Sequence, residues 1–182
     1  VGKRGPIDKA RDLMTGLGFY ETLSFSFSHS DFFNRLQLPE DSPLRRAIPI
    51  MNPITDEFPI LRTTLMAGLL DTVARNLSRK NEDLKLYEVG NTYHAESLPL
   101  TSHPKEARRL CGAMVGRRDG MEWCHSRDMV DFYDVKGVVE SLLNGLGLFE
   151  WQVRRSEAPW LHHGKQAEFV AGSTTVAVFG AL

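Results

Sequence analysis

The residue types most suggestive of chemistry are two adjacent histidines, His162 and His163. In an extended segment, neighbouring side chains point to opposite faces, so a single ion rarely takes both. Cys124-His125 has the same weakness, and no second pair lies at ligand spacing, so no metal is expected. Asp131 and Asp134 form a carboxylate pair three residues apart at a predicted helix start. That position suits capping of the first turn better than an acid/base dyad. Gly16-Leu17-Gly18 and Gly145-Leu146-Gly147 each follow a predicted helix rather than open one, which makes them C-caps and not phosphate loops. The chain contains no Walker sequence, G-x-S-x-G elbow or H-E-x-x-H. No catalytic residue is expected.

Arg62 stands apart. It lies immediately before a Thr63-Thr64 helix start, in a loop that carries Asp56 and Glu57. One reading is an exposed Arg pairing with a nearby carboxylate, which is worth little. The other is a planar fork that fixes the loop against Glu88 or against a partner chain. Ten residues upstream, Asn52-Pro53 makes a sharp bend. Pro fixes its own φ and pushes Asn52 out of helical geometry.

The elements that would position these residues follow from periodicity. Gly5-Pro6 begins a helix with apolar positions Ile7, Ala10, Leu13, Met14 and Leu17. Leu23–Ser28 alternates strictly and predicts a strand with one buried face. Ser30-Asp31 caps a short helix through about Leu38, and Ala47–Met51 predicts a second strand. Thr63 or Thr64 caps the main helix, whose stripe is Leu65, Leu69, Leu70, Val73 and Leu77. Arg75, Arg79 and Lys80 lie toward its C-terminal end, where the dipole favours cations. Strands are predicted over Leu84–Tyr93 and Leu110–Val115, with a polar loop through Glu106 between them. A second long helix follows Asp131, with Val135, Val138, Val139, Leu142, Leu143 and Leu146 on one side. Short strands are expected around Trp151–Val153, Ala167–Ala171 and Thr174–Gly180, the last two joined at Gly172-Ser173. The pattern predicts an α+β domain, an antiparallel sheet with helices on one face.

With 182 residues, 42% hydrophobic and 25% charged, the chain has ordinary globular composition and can bury a sizeable core as one domain, 1–182. Twenty-two basic against twenty-three acidic side chains give a net charge of −1, against a dedicated nucleic-acid-binding surface. A local basic patch remains open, since Arg75, Arg79, Lys80 and Lys85 lie close together in sequence. Two cysteines make no disulfide framework, and Cys111 in its apolar strand resembles a small buried hydrophobe. A reducing, cytoplasmic compartment is expected. No apolar run approaches the ~18 residues needed to span a bilayer, and no membrane partner is expected. The start, Val1-Gly2-Lys3-Arg4-Gly5, predicts an excised piece of a longer chain.

The order of motifs resembles one family. Met51-Asn52-Pro53, then Leu61-Arg62-Thr63 with Leu69-Leu70, then Leu86-Tyr87-Glu88-Val89-Gly90 is similar to the β subunit of bacterial phenylalanyl-tRNA synthetase, in its class II synthetase-like module. Lys9–Met14 through Gly18-Phe19-Tyr20-Glu21 resembles the first class II signature, which builds subunit interfaces in active members. Asp131–Gly137 and the tail around Leu161-His162, Gly164-Lys165 and Ala167-Glu168 are also characteristic, with His163 standing where Pro is expected.

The resemblance implies a class II core without its chemistry. Active enzymes place an Arg after an aromatic residue near Tyr93-His94 to hold the ATP α-phosphate, and a neutral His supplies neither a permanent charge nor a fork. It further implies a catalytic α subunit as partner, a second β subunit in a heterotetramer, and tRNA bound through the whole enzyme. ATP and Mg²⁺ would serve the whole enzyme, with no cofactor in this segment. Asn52, Pro53, Arg62, Glu88 and Asp134 become interface or structural residues. The competing reading is a stand-alone class II-fold ligase forming an acyl-adenylate. It needs a Gly-rich acyl-phosphate loop or a phosphate-binding Arg, and the sequence offers neither. A third reading, a generic α+β interaction domain, is opposed by the number of ordered matches.

Overall fold

The computed structural model describes residues 5–53, 55–118 and 128–182, so the Cys124-His125 pair lies outside the described residues. In chain order the elements are α1 (Pro6–Gly16), β1 (Tyr20–Glu21), β2 (Phe27–Ser28), α2 (Phe32–Arg35), a 3₁₀ turn (Pro43–Arg45), β3 (Ile60–Leu61) and α3 (Met66–Ser78). The long strands β4 (Leu84–His94) and β5 (Lys105–Val115) follow, then α4 (Phe132–Gly145), β6 (Gln152–Arg154), β7 (Gln166–Ala171) and β8 (Thr174–Gly180). The fold is α+β, its strands distributed over three small sheets ordered β1-β4-β5, β2-β3 and β6-β7-β8. The chain clusters into two compact units.

One unit comprises the described residues of Val1–Tyr20, Asn81–Lys85 and Met114–Leu182. Pro6 opens α1, and the Gly5 N–H donates to Asp8 Oδ2 at 3.3 Å, satisfying a first-turn donor. The apolar side of α4 lies on the β6-β7-β8 sheet, with Val135, Val139 and Leu143 packed around Phe169 and Phe179. Phe169 is fully buried, stacked on Phe179 at 4.9 Å between centroids and edge-on to Trp151 at 4.5 Å. The β7–β8 hairpin pairs Ala171 with Thr174. Gly172 supplies the φ of +61° that the turn requires.

The other unit comprises Glu21–Lys80 and Leu86–Ala113. Its main helix, α3, buries Ala67, Leu69 and Val73, while Leu77 at the far end of the stripe is 39% exposed. The N-cap position falls on Leu65 rather than on either threonine, and Thr64 Oγ1, one residue earlier, accepts from the Met66 N–H at 3.2 Å. Thr63 instead donates to the Leu44 carbonyl at 2.6 Å.

Four expected elements differ. The short helix spans only Phe32–Arg35, and Asp31 at its N-cap makes no side-chain capping bond. Within Leu23–Ser28 only Phe27–Ser28 forms a strand, and the polar side of the alternation faces inward: Leu23 is 86% exposed and Phe25 70%. The reason is a buried carboxylate beneath this segment, to which the Ser24 hydroxyl donates. Ala47–Met51 is reduced to a single bridge between Pro49 and Ile60. Pro49 has no N–H to extend a ladder. β5 begins at Lys105, inside the expected polar loop, because its charged residues occupy exposed positions along the strand.

Candidate functional site

The centre of the second unit is a polar cluster around Arg62. Its main chain is anchored on both sides, the N–H donating to Ser26 O at 2.9 Å and the carbonyl accepting from Tyr93 N at 3.0 Å. The side chain is thereby aimed at β4. Nε donates to Asn91 O at 2.8 Å, and Nη1 reaches Glu88 Oε1 at 2.7 Å, Ser24 Oγ at 3.0 Å and Phe25 O at 3.2 Å. Glu88 is 1% exposed and Arg62 7%. The second carboxylate oxygen of Glu88 accepts from Ser24 Oγ at 2.7 Å.

The fork is therefore not closed on a carboxylate alone. It is spread over one carboxylate oxygen, a hydroxyl and main-chain carbonyls of two segments, a set of acceptors that only a planar, multiply donating group can satisfy. Gly90 makes room for it, since a Cβ there would collide with Arg62 Nη2. Gly68 likewise makes room for Ser24. None of the side-chain acceptors belongs to residues 52–61. The guanidinium ties Ser24–Phe25 to β4, whereas the loop after Asn52-Pro53 is held by main-chain bonds, Ile50 N to Pro59 O at 2.8 Å and Leu61 N to Ile48 O at 2.9 Å. Asn52 is exposed and Pro53 half-buried in the bend.

β4 ends on His94. Thr92, 1% exposed, donates its hydroxyl to Ala107 O at 3.2 Å, so His94 Nε2, 3.0 Å from Thr92 Oγ1, donates to that hydroxyl oxygen. Burial, with the charges of Arg109 and Lys105 added, pushes the His94 pKa below the ordinary histidine value. These surroundings favour the uncharged ring. Cys111, on β5, is pushed up to about 12 by burial and by Glu88, so its thiol is inert.

Asp134 belongs to a separate cluster in the first unit. Asp131 caps α4, its Oδ1 accepting from Tyr133 N at 2.7 Å and Asp134 N at 3.0 Å, while Asp134 Oδ2 accepts from Asp131 N at 2.8 Å. This reciprocal capping box accounts for both carboxylates. Arg118 Nε lies 2.8 Å from Asp134 Oδ1, a close ion pair whose N–H is not aligned as a hydrogen bond. Burial alone would raise the Asp134 pKa, but the Asp131 N–H and the Arg118 guanidinium outweigh it and hold it below the usual value. A depressed carboxylate contributes stability above its unfolded pKa of about 4, lost as pH falls through the folded value. Asp134→Asn is therefore expected to cost roughly 1 kcal/mol at pH 7 and little at pH 3. Urea unfolding at both pH values checks this; an equal loss at each would refute it.

The two histidines depart from expectation. Residues 159–164 form turns rather than extended chain, so the His162 and His163 rings stack at 4.7 Å instead of pointing apart. His162 Nδ1 accepts from Gly164 N at 3.2 Å. Among the described residues no group of three or more His, Cys, Asp or Glu could hold a metal ion.

Sequence reasoning missed Ser24, Asn91, Gly68 and Arg118. Gly90 inside a strand was the available signal, because glycine there marks a close approach.

The fold is shared with a solved tRNA synthetase structure. A pyrrolysyl tRNA synthetase from Desulfitobacterium hafniense matches with a TM-score of 0.66 at 17% identity, covering 95% of this chain and 54% of that one. The family model for the phenylalanyl tRNA synthetase beta chain CLM domain matches residues 3–182, and the chain belongs to that family. The phenylalanine–tRNA ligase beta subunit of Carboxydothermus hydrogenoformans is 36% identical over 175 residues, 96% of this chain and 21% of that protein. That of Geobacter metallireducens is 37% identical over 175 residues, 94% of this chain and 21% of that protein. The chain thus spans about a fifth of the length of these curated relatives.

Proposed function

We propose that this chain is the non-catalytic, synthetase-like module of a phenylalanine–tRNA ligase β subunit. It pairs with a catalytic α subunit, in a cytoplasmic heterotetramer of two α and two β subunits that charges tRNA with phenylalanine using ATP and Mg²⁺. Family membership supports the assignment to a β subunit. No helix among the described residues is long and apolar enough to cross a membrane.

The observation that carries the non-catalytic reading is at the end of β4. Forming an adenylate concentrates negative charge on the α-phosphate as pyrophosphate leaves, so catalysis needs preorganised cations aimed at those oxygens. Here β4 delivers a half-buried His94 whose surroundings disfavour its charged form. Arg62, the buried cation beside that strand, already engages Glu88, Ser24 and main-chain carbonyls through Nε and Nη1. Removing one transition-state donor costs on the order of 10²–10³ in rate. These residues do not fit an adenylating ATP site.

Phenylalanine-dependent exchange of pyrophosphate into ATP tests this directly. No exchange is expected from the chain or from the full β subunit without α. Exchange by either one, abolished by His94→Ala, would establish the stand-alone ligase instead.

A further inference from the structure

The C-terminal end of α3 carries three cations with no counter-charge among the described residues. Arg75, Arg79 and Lys80 are all exposed. Among the described residues none of them forms an ion pair with a carboxylate. Asp71, the one carboxylate on α3, is occupied by His29 and Arg35, each at 3.2 Å. Arg75 and Arg79 stand four residues apart, where like charges repel.

Helix-dipole compensation accounts for cations at this end of the helix, but not for the backbone conformation of Lys80. The helix closes with Arg79 N to Asn76 O at 2.9 Å and Lys80 N to Leu77 O at 3.0 Å, which throws Lys80 into the left-handed region at φ +67°. Glycine occupies this position at least cost, because any Cβ is strained there. The chain keeps a lysine at a site where stability alone favours glycine, next to two arginines that repel one another. Backbone strain retained at an exposed charged residue points to a binding role.

We propose that Arg75, Arg79 and Lys80 form a docking surface for the sugar–phosphate backbone of tRNA. This rests on the synthetase reading above and adds the surface to it. Arg75 and Arg79 lie about 6 Å apart along the helix axis, which suits successive phosphates of one strand. The patch has no aromatic or base-reading partner among its three members, so it contributes affinity and orientation rather than sequence choice. Its smallness agrees with the overall charge of −1, which makes a broad polyanion-binding face improbable on composition.

The test uses the complex of the full-length β subunit with its α subunit and an unacylated phenylalanine tRNA transcript, binding being measured against salt. Each phosphate contact contributes roughly 0.7–0.9 to the slope of log K against log salt. The triple variant Arg75→Gln, Arg79→Gln, Lys80→Gly is expected to lower that slope by about 2–3. Lys80→Gly alone is expected to raise the melting temperature of the chain while weakening tRNA binding roughly threefold to eightfold near 0.1 M salt. A merely structural lysine would give the first effect without the second. An unchanged salt slope in an intact complex overturns the patch and leaves the assembly reading standing. Failure of the wild-type β subunit to co-purify with α overturns the synthetase reading itself.

Discussion

Arg62→Ala is expected to destabilise the chain by about 3–5 kcal/mol, the usual cost of stranding one member of a buried ion pair. Among the described residues, Glu88, 1% exposed, would be left with only Ser24 donating to its carboxylate. The Asn91 and Phe25 carbonyls would also lose their donor. In urea the midpoint should fall by roughly 1–2 M. Arg62→Lys keeps the charge but can reach only part of the acceptor set. It should still cost about 1.5–3 kcal/mol and, on the proposed pairing with an α subunit, weaken that assembly nearly as much as Ala does. Arg62→Met combined with Glu88→Gln removes both charges, and should recover more than half of the loss. Recovery of wild-type stability and association by Lys alone would sink the fork interpretation.

Phe169→Ala is the corresponding expectation for the other unit, about 3–5 kcal/mol. Phe169 is fully buried between Phe179 and Trp151, and also lies among Leu143, Val135 and Val139 of α4. The loss combines the transfer of an aromatic ring with the cavity left in a sheet-to-helix interface that cannot collapse fully. Phe169→Leu preserves most of the volume and should cost less than about 1.5 kcal/mol. The near-UV circular dichroism band of Trp151 should weaken in the Ala variant, because its edge-on partner is gone. A Phe169→Ala loss below 1 kcal/mol would mean that this cluster is not the core of its unit.

The sequence made the helices legible and misplaced part of what lies between them. α1, α3 and α4 follow from apolar residues at helical spacing and from caps that operate within a few residues, such as Asp131 with Asp134. The β7–β8 hairpin follows equally locally from Gly172. Leu23–Ser28 is the instructive failure. Alternation alone assigns the apolar side to the core, yet Ser24 faces inward and Leu23 and Phe25 face out. What decides that orientation is Glu88, 64 residues away in the chain.

Arg62 and Glu88 were both visible as candidates, and their resemblance to a synthetase motif was carried by short, ordered segments of sequence. Composition, periodicity and caps determined the α+β class, the main helices and the positions of the charged residues, because each depends on interactions within about one turn or one hairpin. Only the tertiary structure decided what the charges do. It placed one oxygen of Glu88 against Arg62 and the other against Ser24, filled the space over Gly90 with the Arg62 guanidinium, and lowered the His94 pKa by burial and by Arg109 and Lys105. Those outcomes depend on burial and on which distant segments share a sheet face. No local pattern in the chain encodes either.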